Sequence, residues 1–417
     1  MPDSEHKARR RSVAIIIGCV IIVAVILGSF QTGIPSGGPS LVFIDSVSMD
    51  GGSGGDDWAL GMAYDENQSV LYATGFITVP GHGKDGIIWK LNSTYGQIEQ
   101  VGNTTFGGPL GDDAGYGLAL DGHGHLFAAG YVTEAGEDHN IWIARYSLNL
   151  TIEESITLDG PSNGTDEAYG LLLDDSGTVY ITGTVTLPGH GYDIYIGKYD
   201  SDLNLVRNIT IDGPASMTDK GRFMLLDDVG NLFVSGSMSQ AGTGYDIWIG
   251  KFDADLQLLG QVIIAGPTSG EDKGYGICRD DYFGYLYATG TITEAGQSYN
   301  AWLAKFDSNL NLLNDITVNG PGNGDDTAYS IAQHGSYLVQ VGTYTEVSGG
   351  ANMMIALYDM NLRFYTRITI NGSADGFDTA FGVIAVPIGG VFVSGFITET
   401  SEGQNAWIGR VLIGIPV

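Results

Sequence analysis

Seven aspartates recur along this chain at nearly even spacing: Asp57, Asp113, Asp166, Asp219, Asp272, Asp326 and Asp378. Successive gaps are 56, 53, 53, 53, 54 and 52 residues. Carboxylates gathered in a ring can hold a hard, oxygen-seeking cation such as Ca²⁺. The same carboxylates can instead fix seven identical turns by accepting backbone amide hydrogen bonds. One identical role per copy favours the turn. Neighbouring Asp56, Asp112 and Asp325 would add charge to any cation site. No other cofactor is expected.

Other repeated positions carry weaker chemistry. Asp85, Asn140, Asp193, Asp246, Asn300, Asn352 and Asn405 share one slot. Five residues on stand Lys90, Arg145, Lys198, Lys251, Lys305, Leu357 and Arg410, and each base is expected to pair with a carboxylate of its own or the next copy. Trp142, Trp248, Trp302, Trp407 and Tyr195 share another slot, which reads as core packing rather than a sugar-stacking platform. The segments that vary most hold His82, Lys84, His139, His190, Tyr192, Tyr245 and Tyr299, the candidate binding-loop residues. His123 and His125 could grip a metal but read better as a solvated turn. Seven Asn-x-Ser/Thr sequons, at Asn67, Asn92, Asn103, Asn149, Asn163, Asn208 and Asn371, suggest glycosylation of an exported chain. No HExxH, Gly-x-Ser-x-Gly or zinc-spaced Cys/His set occurs, so no catalytic residue is assigned.

The elements that must position these residues are strands. In the third copy they are expected at 168–173, 178–185, 193–199 and 205–211, each β-branched or aromatic and bounded by Gly, Asp, Asn or Pro. Asp174-Asp175-Ser176-Gly177 suits a tight turn with glycine in the left-handed position. A repeat of this length with four strands predicts propeller blades. The last copy offers strands at 381–386, 391–397 and 406–412 and no fourth. The segment 43–49 fits the fourth-strand pattern and is expected to complete that blade, closing the ring without a free edge. The fold class is therefore all-β: a seven-bladed β-propeller of four-stranded blades over 41–417.

The unit resembles the SBBP repeat, the seven-bladed β-propeller repeat of bacterial and archaeal surface proteins. Its D-x-A-x-G, D-x-x-G-x-x-Y-x-x-G and D-A-F/W-hydrophobic-A-K pattern is matched by Asp113 to Gly117, Asp121 to Gly130 and Asn140 to Arg145. The fourth copy departs with Arg222 in place of an aromatic, and the sixth with Gln333-His334-Gly335 in place of an acidic turn. The resemblance implies a fold and an extracytoplasmic location, and no agreed activity.

The first forty residues are different. A basic tail (1–12) with Lys7, Arg9, Arg10 and Arg11 precedes eighteen uncharged residues (13–30), then a Gly/Pro/Ser linker (31–40). That order predicts a single transmembrane anchor with the propeller outside. The rivals are a cleaved secretory signal, a lipoprotein box ending at Cys19, and a pilin-type leader. Cys19 and Cys278 are too far apart in character to pair. The whole chain has 18 Lys and Arg against 48 Asp and Glu, a net charge of −30. Such a field excludes a nucleic-acid partner. The expected role is a binding or scaffolding module at the cell surface for a glycan, small-molecule or protein ligand. The alternatives are a structural subunit of a surface layer or filament, and a cation-dependent hydrolase or lyase.

Overall fold

The computed structural model describes residues 38–414 apart from 53, 95, 109–110, 135–137, 216, 243, 297, 348–349, 387–389 and 401. The basic tail, the anchor with Cys19 and most of the linker lie outside the described residues. Among the described residues no helix is long and apolar enough to cross a membrane.

Among the described residues, twenty-eight strands form seven four-stranded antiparallel sheets. A first strand, β1, spans Ser40–Met49. Blade 1 is β2 (Trp58–Asp65), β3 (Val70–Val79), β4 (Gly83–Asn92) and β5 (Glu99–Phe106). Blade 2 is β6 (Ala114–Leu120), β7 (His125–Thr133), β8 (His139–Ser147) and β9 (Ile152–Leu158). Blade 3 is β10 (Glu167–Leu173), β11 (Val179–Thr186), β12 (Tyr192–Tyr199) and β13 (Leu205–Ile211). Blade 4 is β14 (Lys220–Leu226), β15 (Leu232–Gln240), β16 (Gly244–Phe252) and β17 (Leu258–Ile264). Blade 5 is β18 (Lys273–Arg279), β19 (Leu286–Thr293), β20 (Tyr299–Phe306) and β21 (Leu312–Val318). Blade 6 is β22 (Thr327–His334), β23 (Tyr337–Thr345), β24 (Ala351–Asp359) and β25 (Phe364–Ile370). Blade 7 is β26 (Thr379–Val386), β27 (Gly390–Glu399) and β28 (Gly403–Gly414), and its sheet order is β26-β27-β28-β1. The β1–β28 register runs from Ser40↔Gly414 to Met49↔Ala406.

The first strand of each blade touches the first strand of the next, and β26 touches β2, so these strands form a ring around a central channel. Burial follows from this. The second and third strands lie between two blades and are buried on both faces, which is why they read as continuous apolar runs. The fourth strands face outward and alternate over much of their length, as in β17. The core is seven seams between blades rather than one centre. Trp142, Trp248, Trp302, Trp407 and Tyr195 all lie in these seams, none more than 5 % exposed.

Two local devices repeat. The 174–177 turn closes with Gly177 N–H donating to Asp174 O at 2.9 Å, and Gly177 has φ +80°. Each second strand carries a glycine where a Cβ would strike a first-strand carbonyl oxygen 1.8–2.1 Å away: Gly75, Gly130, Gly183, Gly236, Gly290, Gly342 and Gly395. These glycines face a β-bulge. In blade 3 Ala168 pairs with Gly183 and Gly170 with Thr182, so Tyr169 is the extra residue. The bulge recurs in all seven first strands. A bulged residue is freed from the ladder and re-aimed.

The conserved slot of bases departs from expectation. Four lysines donate to main-chain carbonyls of the next blade rather than to carboxylates: Lys90 to Leu148, Lys198 to Ala254, Lys251 to Ser308 and Lys305 to Met360, at 2.8–3.0 Å. Each also lies over a second-strand aromatic, such as Lys251 over Phe233 at 5.1 Å. A carbonyl at the end of a tight turn needs a donor, and the lysine reaches across the seam to supply it. Among the described residues Arg145 alone follows expectation, pairing with Glu153 and with Asp202 of the next blade.

Candidate functional site: the channel mouth

The seven recurring aspartates are fully buried and stitch each blade to the next. The amide of each donates to the third strand of the preceding blade at 2.5–2.8 Å, as Asp166 to His139 O. One carboxylate oxygen accepts the amide that ends the second strand of its own blade. These bonds come from Thr78, Thr133, Thr186, Ser239, Thr293, Thr345 and Thr398, at 2.5–2.7 Å. The other oxygen accepts a loop amide: Gly51, Gly108, Gly160, Gly213, Gly266, Gly320 or Gly372. Burial outweighs these bonds and pushes the carboxyls of Asp113, Asp166 and Asp378 up to about 6, and those of Asp57, Asp219 and Asp326 in the same direction.

Because the clasps bind the loop before each first strand to the start of a third strand, both kinds of loop sit on one face of the ring. Two layers of side chains follow at its mouth. The upper layer is the residue after each aspartate: Trp58, Ala114, Glu167, Lys220, Lys273, Thr327 and Thr379. The lower layer is the bulged position: Leu60, Tyr116, Tyr169, Arg222, Tyr275, Tyr329 and Phe381. The lower layer forms a collar of touching rings. Tyr116 meets Tyr169 at 5.1 Å, Tyr275 meets Tyr329 at 4.9 Å, and Tyr329 meets Phe381 at 5.1 Å. The Arg222 guanidinium fills the gap, 4.2 Å from the Tyr169 ring and 5.6 Å from Tyr275. Below lies a cavity of about 100 Å³ with apolar walls that include Met62, Leu118, Leu171 and Met224.

The mouth is two-sided. Blades 7 and 1 present an aromatic cluster in which Trp58 stands 4.9–5.3 Å from Phe76, Phe381 and Phe396. Lys84 covers its edge, 4.3 Å above Phe76. Blades 2–5 present charge. His139 Nδ1 lies 2.6 Å from Glu167 Oε1, and Tyr169 donates its hydroxyl proton to Glu167 Oε2. Lys220 Nζ donates to Tyr169 Oη at 2.9 Å. Lys273 pairs with Glu271 at 2.6 Å, and Tyr299 donates to the same carboxylate. Burial first, then the charge of Arg222, lowers Lys220 to about 8, although Glu167 opposes the shift. Burial acts to raise Glu167, but His139, Tyr169 and Lys220 outweigh it and hold the carboxyl below its usual value. Among the described residues, Lys220 and Arg222 have no carboxylate partner within 4.0 Å, unlike Lys273.

Of the candidate loop residues, His139, Tyr192, Tyr245 and Tyr299 converge on this charged side. Lys220 lies 6.0 Å from the Tyr192 ring, and Lys273 5.9 and 5.5 Å from those of Tyr245 and Tyr299. Lys84 joins the aromatic side. His82 and His190 turn to local carboxylates instead, Asp85 and Asp212, each at 2.7 Å. His123 and His125 are held in their turn by Asp121. Sequence reasoning did not single out Glu167, Tyr169, Lys220 or Lys273. For Glu167, Lys220 and Lys273 the available signal was their departure from the other copies, as for Arg222, whereas Tyr169 matches Tyr116, Tyr275 and Tyr329 and carries no such signal.

No family model matches the chain, and no curated protein matches it. Solved structures do. The periplasmic gluconolactonase PpgL of Pseudomonas aeruginosa is similar with a TM-score of 0.51 at 14 % identity, over 83 % of this chain and 97 % of that one. A protein from Lactobacillus plantarum is similar with a TM-score of 0.50 at 14 % identity, over 75 % and 85 % of the two chains. A putative 6-phosphogluconolactonase from Bacteroides uniformis reaches 0.48 at 12 % identity, over 74 % and 85 %. The fold is a seven-bladed β-propeller. At these identities the likeness extends to the fold alone, and the SBBP resemblance rests on the repeat residues only.

Proposed function

We propose that this propeller is a binding module that captures a carboxylate-bearing sugar at its channel mouth. The observation that carries this is Lys220 with Arg222: two half-buried cations lacking a carboxylate partner in a protein of net charge −30. Desolvated charge needs a counter-charge, and a bound anion supplies it. The aromatic side opposite, built on Trp58 and Phe381, suits the apolar face of a sugar ring. Lys220 and Tyr169 would orient the carboxylate, Arg222 would supply fixed positive charge beneath it, and Glu167 holds the Tyr169 hydroxyl to which Lys220 donates.

Other features support a cell-surface setting. The basic tail before residues 13–30 supports a membrane anchor with the propeller outside. Six of the seven sequon asparagines are exposed and Asn92 is half-buried, which supports glycosylation. The pairing of β1 with β28 supports closure of the ring by the N-terminal strand. A second reading is a hydrolase acting on such a ligand. It is favoured by Lys220, lowered to about 8 beside an ionised Glu167, as an acid–base pair.

Titration with glucuronate, gluconate and neutral glucose, followed by tryptophan fluorescence, tests the first reading. The acids should bind, glucose should not, and Lys220→Gln and Arg222→Gln should each weaken binding at least about tenfold with the fold intact by circular dichroism. Equal binding of glucose, or unchanged affinity in both variants, would refute it. Turnover of gluconolactone that is lost in Glu167→Gln would establish the hydrolase reading.

A further inference from the structure

Blade 3 carries a second constellation on the same face. His190 comes from the loop between β11 and β12, Asp193 opens β12, and Asp212 follows β13. One donor atom from each side chain lies within 4.8 Å of the other two. His190 Nδ1 and Asp212 Oδ2 are 2.7 Å apart, so those two answer each other. Asp193 is left over. It is fully buried, and neither of its carboxylate oxygens has a hydrogen-bond partner. Burial first, then the charge of Asp212, pushes its carboxyl up to about 6. A desolvated carboxylate facing a second one is costly without a cation to answer both.

Comparison around the ring shows that the fold does not require this carboxylate. The slot of Asp193 holds asparagine in four blades: Asn140, Asn300, Asn352 and Asn405. Blade 4 keeps an aspartate, Asp246, but has Ala265 at the place of Asp212. Blade 1 keeps His82 and Asp85, and these two satisfy each other at 2.7 Å. There β5 ends at Phe106 and Gly107 follows, so no carboxylate stands where Asp212 does. Among the described residues, blade 3 alone combines one imidazole with two carboxylates.

We propose that His190, Asp193 and Asp212 form a binding site for one divalent first-row transition cation, Zn²⁺ being the probe of choice. One imidazole nitrogen with two carboxylate oxygens is a donor set of the borderline kind that suits Zn²⁺, Mn²⁺ or Fe²⁺. Ca²⁺ takes six to eight oxygens and gains little from a nitrogen donor. Three protein donors leave positions for water or for an oxygen of a bound ligand. The site is separate from the seven clasps, since none of the recurring aspartates belongs to it.

Equilibrium dialysis against Zn²⁺, with bound metal counted by mass spectrometry, tests the site on the purified protein. One saturable equivalent is expected. Asp193→Asn places in blade 3 the residue native to four other blades, so the fold is retained while affinity for that equivalent falls at least about tenfold. Asp246→Asn changes the same slot in blade 4 and should leave the equivalent intact. Co²⁺ loaded in place of Zn²⁺ should give visible absorption that His190→Ala alters. The proposal is overturned if no saturable equivalent appears, if Asp193→Asn binds like the parent, if Asp246→Asn loses as much, or if Ca²⁺ displaces Zn²⁺ and His190→Ala has no effect.

Discussion

Removing one clasp should loosen the whole ring by a calculable amount. Asp166→Ala deletes the acceptor of two amides, Gly160 N–H and Thr186 N–H, and leaves the Asp166 N–H bond to His139 O in place. A buried donor left without a partner costs roughly 1–3 kcal/mol. Two such donors cost about 2–6 kcal/mol. Part of that is recovered because a buried carboxylate, itself disfavoured by burial, is no longer present. A net loss of about 2–4 kcal/mol is expected. Unfolding entropy near 60 °C is roughly 2.1 cal/mol/K per residue, or about 0.8 kcal/mol/K for a domain of some 380 residues. The melting temperature should therefore fall by about 3–5 °C. Asp166→Asn keeps one carbonyl oxygen and should lose about half as much. Differential scanning fluorimetry with circular dichroism reads both. A chelator added to the parent protein separates the two roles of these carboxylates. If they worked by holding Ca²⁺, chelation would reproduce the mutant melting temperature. Asp166→Ala melting within a degree of the parent would refute the clasp argument, and so would Asp166→Asn falling further than Asp166→Ala.

Three more outcomes follow from the same geometry. The raised carboxyls of Asp113, Asp166 and Asp378 favour the protonated form in the folded state, so their stabilising contribution is present below about pH 4 and is lost as pH rises through about 6. Melting temperature should therefore rise on acidification from pH 7.5 to 5, and the rise should be smaller in Asp166→Asn. Lys220 is charged below about 8, so affinity for a carboxylate ligand should fall between pH 7 and 9, as read by fluorescence titration, whereas Lys220→Arg should flatten that fall. Deleting residues 1–49 removes β1 and bares the edge of β28 from Ala406 to Gly414. Melting temperature should drop, and light scattering should report self-association through the open edge.

The repeat made the fold readable, because spacing, turn glycines and β-branched runs all pointed to one unit. For blade 3 the expected strands match the observed ones to within a residue at each end. Other features were hidden because they depend on the neighbouring blade. The base slot invited carboxylate partners in so acidic a chain. Its lysines answer carbonyl oxygens instead, which have no signature in side-chain composition. Gly177 takes the left-handed position in its turn, whereas in the turns before the fourth strands leucine does so: Leu150, Leu203, Leu256, Leu310 and Leu362 adopt φ of 57–66°. Such a backbone costs about 1–2 kcal/mol for a residue with a Cβ. Leu203, Leu256, Leu310 and Leu362 bury all but 5 % or less of their surface, which offsets a cost of that size. Asp200 and its equivalents brace the turn through the next amides, as in Asn204 N–H to Asp200 Oδ1 at 2.9 Å. The pattern was written in the sequence as a recurring Asp-x-x-Leu, but its meaning needed the seam into which the leucine points.

The candidate site was legible for the opposite reason. In a sevenfold repeat, whatever recurs in every copy is what the ring needs, and the clasps, the strand glycines and the seam tryptophans all recur. What only one or two copies carry is free of that duty. Glu167, Lys220 and Lys273 replace small, polar or aromatic residues at one position, and Arg222 replaces a ring or Leu60 at another. His190, Asp193 and Asp212 coincide in one blade alone. A basic pair in a chain of net charge −30 is the least expected of these, since each of its charges gives up water on burial. Its position is also set by the fold: the bulge that recurs for steric reasons in all blades is what projects Arg222 into the collar. The symmetric features therefore build the aperture, and the few departures from symmetry decide what the aperture can recognise.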